Sequence, residues 1–214
     1  MHIVFDAYGT LLDVHSAAAR NEALLGPDWA EVSEIWRTRQ LEYAWVATLA
    51  GRYENFWTLT RRALSTALSL TGREPDSALE EQLLEAYTDL TPFDDVAPGL
   101  AALAERGATL SVLSNGDPAM LEKAFGAAGM RSRFAALLSV DTARRFKPDP
   151  LAYRVAEEAL GAAGKDITFV SSNAWDAAGA ASYGFSSHWL NRTGRRPEYP
   201  QFEGVTEIPS LLSL

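Results

Sequence analysis

No cysteine occurs in the 214 residues, which removes thiol nucleophiles, disulfides and cysteine-based metal sites together. Histidine is nearly as scarce: His2, His15 and His188 are scattered without ligand spacing, so surface or structural roles are expected of them. Positive charge is also short, with 19 Lys and Arg against 28 Asp and Glu and a formal net charge of −9. That balance argues against nucleic-acid binding, which needs cations to neutralise phosphates. No apolar run approaches membrane-spanning length. The opening MHIVFDAYGT enters a strand-like run with neither a basic segment nor a cleavable apolar stretch. The expectation is a soluble cytoplasmic protein with no nucleic-acid or membrane partner. The shortage of cations also sets a question: an anionic substrate would require them to be concentrated locally.

What the chain does have is a 47% hydrophobic composition arranged in two rhythms. Short apolar, β-branched runs alternate with longer helical patterns, the signature of an α/β fold with a parallel sheet. Strands are expected at Ile3–Phe5, Thr109–Leu113, Ala136–Val140, Ile167–Val170 and Ser187–Leu190. Asp117-Pro118 and Asp149-Pro150 each place a capping carboxylate before a proline at the first helical position. Gly129 and Gly161 then stand where those helices should stop. Pro98 and Gly107 bracket another helix in the same way. Between His15 and Leu90 no strand is evident and several amphipathic helices follow one another, with Gly72-Arg73-Glu74-Pro75 as an internal loop. The expected organisation is a core formed by residues 1–14 and 92–214, interrupted by a helical cap at 15–91.

Asp6 stands at the C-terminal end of the first strand, followed by Ala7-Tyr8-Gly9-Thr10. In a doubly wound sheet this is the edge where ligands bind. Gly9 lets the backbone turn sharply, so that neighbouring amides can face an anion. Alone, such a segment is equally an ordinary strand-to-loop turn. Two further strands also run into polar clusters, Ser114-Asn115-Gly116-Asp117 and Ser171-Ser172-Asn173-Ala174-Trp175-Asp176, with Lys147-Pro148 in a loop between them. Each by itself is a capped βα turn. Together they deliver hydroxyls, amides, carboxylates and a lysine to one edge.

Asp6-x-Tyr8-Gly9-Thr10-Leu11, Ser114-Asn115-Gly116, Lys147-Pro148 and Ser171-Ser172-Asn173-x-Trp175-Asp176 resemble the four ordered motifs of the haloacid dehalogenase superfamily. More narrowly, they resemble its L-2-haloacid dehalogenases. Trp36-Arg37-x-Arg39-Gln40-Leu41-Glu42-Tyr43 and Gly51-Arg52-Tyr53-x-x-Phe56 resemble the cap of that subgroup. The resemblance spans nearly the whole chain. It implies a Rossmann-like doubly wound parallel sheet with an inserted all-helical cap. It further implies hydrolysis of short-chain L-2-haloacids to D-2-hydroxyacids and halide, without a cofactor.

Most relatives with such a core are magnesium-dependent phosphatases, which carry a second Asp two residues after the nucleophile. Here that position is Tyr8, a phenol that ionises only near about pH 10. The fourth motif offers Ser171, Ser172 and Asn173, with Asp176 as its only carboxylate, a poor set for a hard cation. Displacing one halide needs less charge screening than phosphoryl transfer, and a metal-free site is expected.

In the mechanism the resemblance implies, Asp6 attacks C2 opposite the halogen, forming an ester. Ser114 and the amides of Ala7 and Tyr8 would hold the substrate carboxylate, and Arg37 and Asn115 would receive the halide. Water then attacks the Asp6 carbonyl with Asp176 as base, positioned with Asn173 and Ser171. Lys147 and Thr10 would orient Asp6. Tyr8, Leu41, Phe56 and Trp175 would wall the alkyl part, and Tyr153 would orient Arg37 or Lys147. Thr38 stands where that subgroup often has a glutamine; if this position touches the substrate, altered specificity is expected. Arg192, Arg195 and Arg196 read as a solvated loop beside Gly194 and Pro197, and Ser172 could face either the core or the site.

Two alternatives remain at this stage: a magnesium-dependent phosphatase of the same fold, and a catalytically silent relative retained for binding. Against the second, both Asp6 and Asp176 are present. The insertion carries more aromatics than a small helical layer can bury, and members of the subgroup often pair through this region, so a homodimer is expected.

Overall fold

A computed structural model describes residues 1–74 and 76–214. Of the expected internal loop, Gly72 to Glu74 connect two helices, and Pro75 lies outside the described residues. In chain order the core opens with β1 (His2–Phe5) and β2 (Leu12–Asp13). The helices α1 (Ser16–Ala19), α2 (Glu22–Leu25), α3 (Trp29–Leu49), α4 (Phe56–Leu70) and α5 (Ser77–Tyr87) follow. The chain then returns through β3 (Thr91–Pro92) to α6 (Val96–Glu105), β4 (Thr109–Ser114), α7 (Pro118–Ala127) and β5 (Ala136–Ser139). It ends with α8 (Pro150–Leu160), β6 (Ile167–Ser171), α9 (Ala174–Tyr183), β7 (Ser186–Leu190) and β8 (Val205–Ile208).

Six strands form one parallel sheet in the order β5-β4-β1-β6-β7-β8. Starting from β1, the chain winds outward through β4 and β5 and then outward on the other side through β6, β7 and β8. The winding direction therefore reverses at β1, where such sheets open a crevice for ligands. The register aligns Phe5 with Val112 on one side and Val170 on the other. The segments beginning at Asp6, Ser114 and Ser171 consequently leave the sheet along one edge. Central strands covered on both faces need apolar residues throughout, and β4 is buried from Leu110 to Ser114.

The helical segment leaves and rejoins at one place, where β2 and β3 pair antiparallel with Leu12 opposite Pro92. α3 packs against α4, and the Trp36 indole donates to the Thr60 carbonyl at 2.9 Å. Asn55 and Asp76 cap α4 and α5 with their side chains, and Asp117 and Asp149 do the same for α7 and α8. Gly129 and Gly161 take positive φ just past the ends of α7 and α8, as expected.

Several details differ from the sequence reading, the short strands β2 and β3 among them. α6 begins at Val96, ahead of Pro98, because a proline in the first turn forfeits no intrahelical bond. β5 stops at Ser139, where the side chain accepts from the Asp141 amide and starts a single helical turn at Val140. β8 was not anticipated: it is a four-residue edge strand whose only buried residue is Ile208, too short to show a pattern. Among the described residues, no helix is long and apolar enough to cross a membrane.

Candidate active site

Asp6 is almost fully buried at the C-terminal tip of β1, and its two carboxylate oxygens are treated unequally. Oδ2 accepts from the Thr10 hydroxyl at 2.8 Å, the Asn173 amide at 2.8 Å and the Ser171 hydroxyl at 3.3 Å. Among the described residues, Oδ1 accepts only from the Lys147 ammonium, at 3.1 Å. One oxygen is thus held by three donors while the other keeps lone-pair capacity. The loop that supplies Thr10 turns at Gly9, whose φ of +88° suits glycine.

Lys147 is 1% exposed and bridges two carboxylates, reaching Asp176 Oδ2 at 2.9 Å as well as Asp6. Its backbone amide donates to the Asn115 side-chain carbonyl at 2.9 Å, which ties the second motif to the third. Asp176 is completely buried, and its other oxygen accepts from the Tyr153 hydroxyl at 2.8 Å. Burial lifts the Asp176 carboxyl to about 6; Lys147 opposes the rise and the Asp6 charge adds to it. Tyr153 was expected to orient Arg37 or Lys147. Its hydrogen bonds go instead to the carboxylate and backbone carbonyl of Asp176, so any influence on Lys147 passes through that residue. α9 can pack this closely because residue 179 is glycine: a Cβ there would lie 2.5 Å from the Tyr153 hydroxyl oxygen.

Arg37 comes from α3 and donates to the Tyr8 carbonyl at 3.0 Å, an oxygen that the Asn173 amide also approaches at 3.2 Å. Its other terminal nitrogen is fixed by Gln40 at 2.8 Å, and Gln40 in turn bonds Thr60 and Tyr87. The sequence reading named Gln40 only as part of the cap motif, without a role, and did not name Tyr87. The only sequence signal is the three-residue spacing from Arg37 to Gln40, which places both on one helix face. The Tyr8 ring stacks on Tyr87 at 5.7 Å and lies 6.4 Å from Phe56. Burial holds the Tyr8 phenol well above its ordinary range, so it stays neutral. Leu41 is half-buried one turn beyond Arg37, whereas Thr38 is exposed. Trp175 packs edge-on against Trp45 at 5.4 Å.

Several donors at this sheet edge have no acceptor among the described residues: the buried amides of Ala7 and Tyr8, the Ser114 hydroxyl hydrogen and the Asn115 amide nitrogen. Buried backbone donors are nearly always paired. A cluster left open beside a carboxylate is suited to a small anion.

The C-terminal arginines do not all behave as a solvated loop. Arg192 is mostly buried and donates to Asp95, Ser172 and the Thr10 carbonyl. Arg195 is half-exposed and Arg196 exposed. Ser172 faces neither Asp6 nor the core; its hydroxyl meets Arg192. Among the described residues no group of three or more His, Asp or Glu side chains is arranged to hold a metal ion.

Comparison with known proteins gives a consistent result. Residues 1–184 match the model of a family of hydrolases described as haloacid dehalogenase-like. The (S)-2-haloacid dehalogenase of Pseudomonas sp. (strain YL) is 44% identical, covering 99% of this chain and 93% of that protein. The (S)-2-haloacid dehalogenase 4A of Burkholderia cepacia is 43% identical over 98% and 94%. The structure of L-2-haloacid dehalogenase from Xanthobacter autotrophicus with chloropropionic acid covalently bound superposes with a TM-score of 0.92. Its sequence is 36% identical, and the match covers 99% of this chain and 95% of that one.

Proposed function

Because the chain belongs to the haloacid dehalogenase-like hydrolases, we propose that it hydrolyses short-chain L-2-haloacids to D-2-hydroxyacids and halide. The observation that carries the reading is the pairing of a buried carboxylate, open at Oδ1, with unpaired amide and hydroxyl donors at the same sheet edge. A covalently bound chloropropionic acid in the Xanthobacter autotrophicus relative supports an ester route.

In the first step Asp6 Oδ1 bonds to C2 of the substrate as the carbon–halogen bond breaks, and the halide leaves with the electron pair. Attack from the rear inverts the centre. The amides of Ala7 and Tyr8 and the Ser114 hydroxyl hold the substrate carboxylate, while Arg37 and Asn115 take the halide. Tyr8, Leu41, Phe56 and Trp175 enclose the alkyl group and exclude bulk water. In the second step water adds to the Asp6 side-chain carbon and gives its proton to Asp176. The ester C–O bond on the enzyme's side breaks, the departing alkoxide oxygen takes the proton back from Asp176, and the hydroxyacid departs. Thr10, Ser171 and Asn173 stabilise the negative charge that develops on Oδ2, and Lys147 that on Oδ1. Arg37 and Lys147 are the local cations that a chain of net charge −9 needs for anionic chemistry.

Magnesium does not fit this donor set. The two carboxylates beside Lys147, Asp6 and Asp176, already share its ammonium, and Tyr8 presents a neutral phenol. The test is halide release from L- and D-2-chloropropionate with and without EDTA, beside phosphate release from an aryl phosphate. Chloride from the L isomer, unchanged by EDTA, is expected. Release from the D isomer alone, or phosphate release abolished by EDTA, overturns the reading.

Ester hydrolysis requires deprotonated Asp176, so single-turnover hydrolysis should rise with pH through about 6. Tyr153→Phe removes a hydrogen bond that favours the anion, and the acid limb should move to higher pH. An unmoved limb would mean that Tyr153 does not act on the base.

The same proposal includes a cytoplasmic location, checked by cell fractionation, and a homodimer. Val46 and Leu49 are exposed on α3. Leu49 lines an apolar groove of about 660 Å³, together with Trp45, Phe146, Trp175, Tyr199 and Phe202, that suits a second copy. Sedimentation should give a dimer at micromolar concentration, and Leu49→Glu a monomer; monomeric wild type removes the proposal.

A further inference from the structure

We propose that Arg192 is a positioning residue for the Asp6 nucleophile, acting through Thr10 and Ser172 and tying both to the segment that returns from the helical insertion. The inference rests on the reading of Asp6 as nucleophile.

Arg192 follows β7, two residues beyond Leu190, and its three guanidinium nitrogens all donate, to three acceptors on three different segments. Nε and Nη2 donate to Asp95 Oδ1 at 3.0 and 2.7 Å. Nη2 also donates to the Thr10 carbonyl at 3.0 Å, and Nη1 to the Ser172 hydroxyl at 3.1 Å. The guanidinium lies over the Phe93 ring, 4.3 Å from its centroid. Phe93 and Asp95 lie directly after β3, where the insertion ends. Asp95 is itself fixed, its second oxygen accepting from the Leu211 amide and the Ser210 hydroxyl.

The consequence falls on one oxygen. Thr10 Oγ1 accepts from the Ser172 amide at 2.9 Å and donates to Asp6 Oδ2 at 2.8 Å. Arg192 grips the backbone of the first partner and the side chain of the second. It thereby sets the direction of the hydroxyl that Asp6 receives without touching Asp6 or any group assigned to substrate. Lysine cannot replace it, because a single ammonium cannot span three acceptors held in a planar fork.

The experiment is steady-state chloride release from L-2-chloropropionate by wild type, Arg192→Lys, Thr10→Val and the double variant. Arg192→Lys should lower kcat about tenfold, as misplacement of a reacting group does, and leave KM within about twofold. The double variant should fall no more than about twofold below Thr10→Val, the coupling expected of residues in one network. Losses that multiply in full, or a loss confined to KM, overturn the assignment. Should Arg192→Lys fail to fold, Ser172→Ala removes one contact alone and replaces it in the same cycle, with a loss of about threefold and the same coupling expected. Wild type that releases no halide sinks the dehalogenase reading itself. Active wild type with multiplicative losses sinks only the role of Arg192.

Discussion

An Asp6→Asn variant should release halide on the order of 10³-fold more slowly than wild type, or not measurably. The substitution is nearly isosteric, and the reason for the loss is chemical. The Asn carbonyl oxygen can still accept from Thr10, Ser171 and Asn173 in place of Oδ2. The amide nitrogen would then stand where Oδ1 meets Lys147, putting donor against donor and leaving no lone pair for C2. Folding should survive, since Lys147 keeps its bond to Asp176. A companion experiment distinguishes nucleophile from base: a single turnover of wild type in heavy-oxygen water, followed by digestion. The label should enter the peptide of residues 1–20, which contains Asp6. Label found only in the hydroxyacid would mean that water attacks carbon directly, and the ester route would be wrong.

Asp176→Asn should stop the cycle halfway. The first chemical step does not need a base, so one equivalent of halide per active site is expected, after which turnover continues on the order of 10²- to 10⁴-fold below wild type. The intact protein should gain the mass of one carboxyalkyl group. Asparagine can fill the position, with its carbonyl facing Lys147 and its amide donating to the Tyr153 oxygen in place of the present bond. The pH dependence provides a second readout. On the proposed roles, wild-type hydrolysis depends on a carboxyl that burial lifts to about 6 and that acts only as the anion, so its rate should fall as pH drops through that value. In the variant the halide burst should lack this limb. Undiminished turnover would place the base elsewhere; a well-folded variant without a burst would put Asp176 in the first step.

The parallel core and its helix stops could be read from local pattern. Apolar runs, Asp-Pro starts and terminal glycines are decided within a few residues, and α7, α8 and their strands follow them closely. That Asp6, Ser114, Lys147, Ser171, Asn173 and Asp176 would converge was legible only because several strands ended in chemistry at once. What stayed hidden is set by long-range pairing. Arg192 reads as part of a basic loop until the fold brings Asp95, 97 positions earlier, against it. Tyr153 faces Asp176, and not a cation, because the absence of a side chain at Gly179 lets α9 settle on it, a fact about space that no spacing rule records. Gln40 and Tyr87, 47 positions apart, meet only when α3 and α5 are in place. β8 is too brief, and too exposed, for alternation to register.

The Tyr8 carbonyl is where the sheet and the helices meet, since it receives Arg37 from α3 and Asn173 from the loop before α9. On the proposed roles the attacking group belongs to the strands, and the cation awaiting the departing ion belongs to the helices. Grafting the strand-end residues alone onto another sheet would yield a nucleophile with nothing to catch its leaving group. Attempts to retune the enzyme toward a different halogen should therefore begin with the Arg37–Gln40–Thr60–Tyr87 chain, leaving the carboxylates as they are.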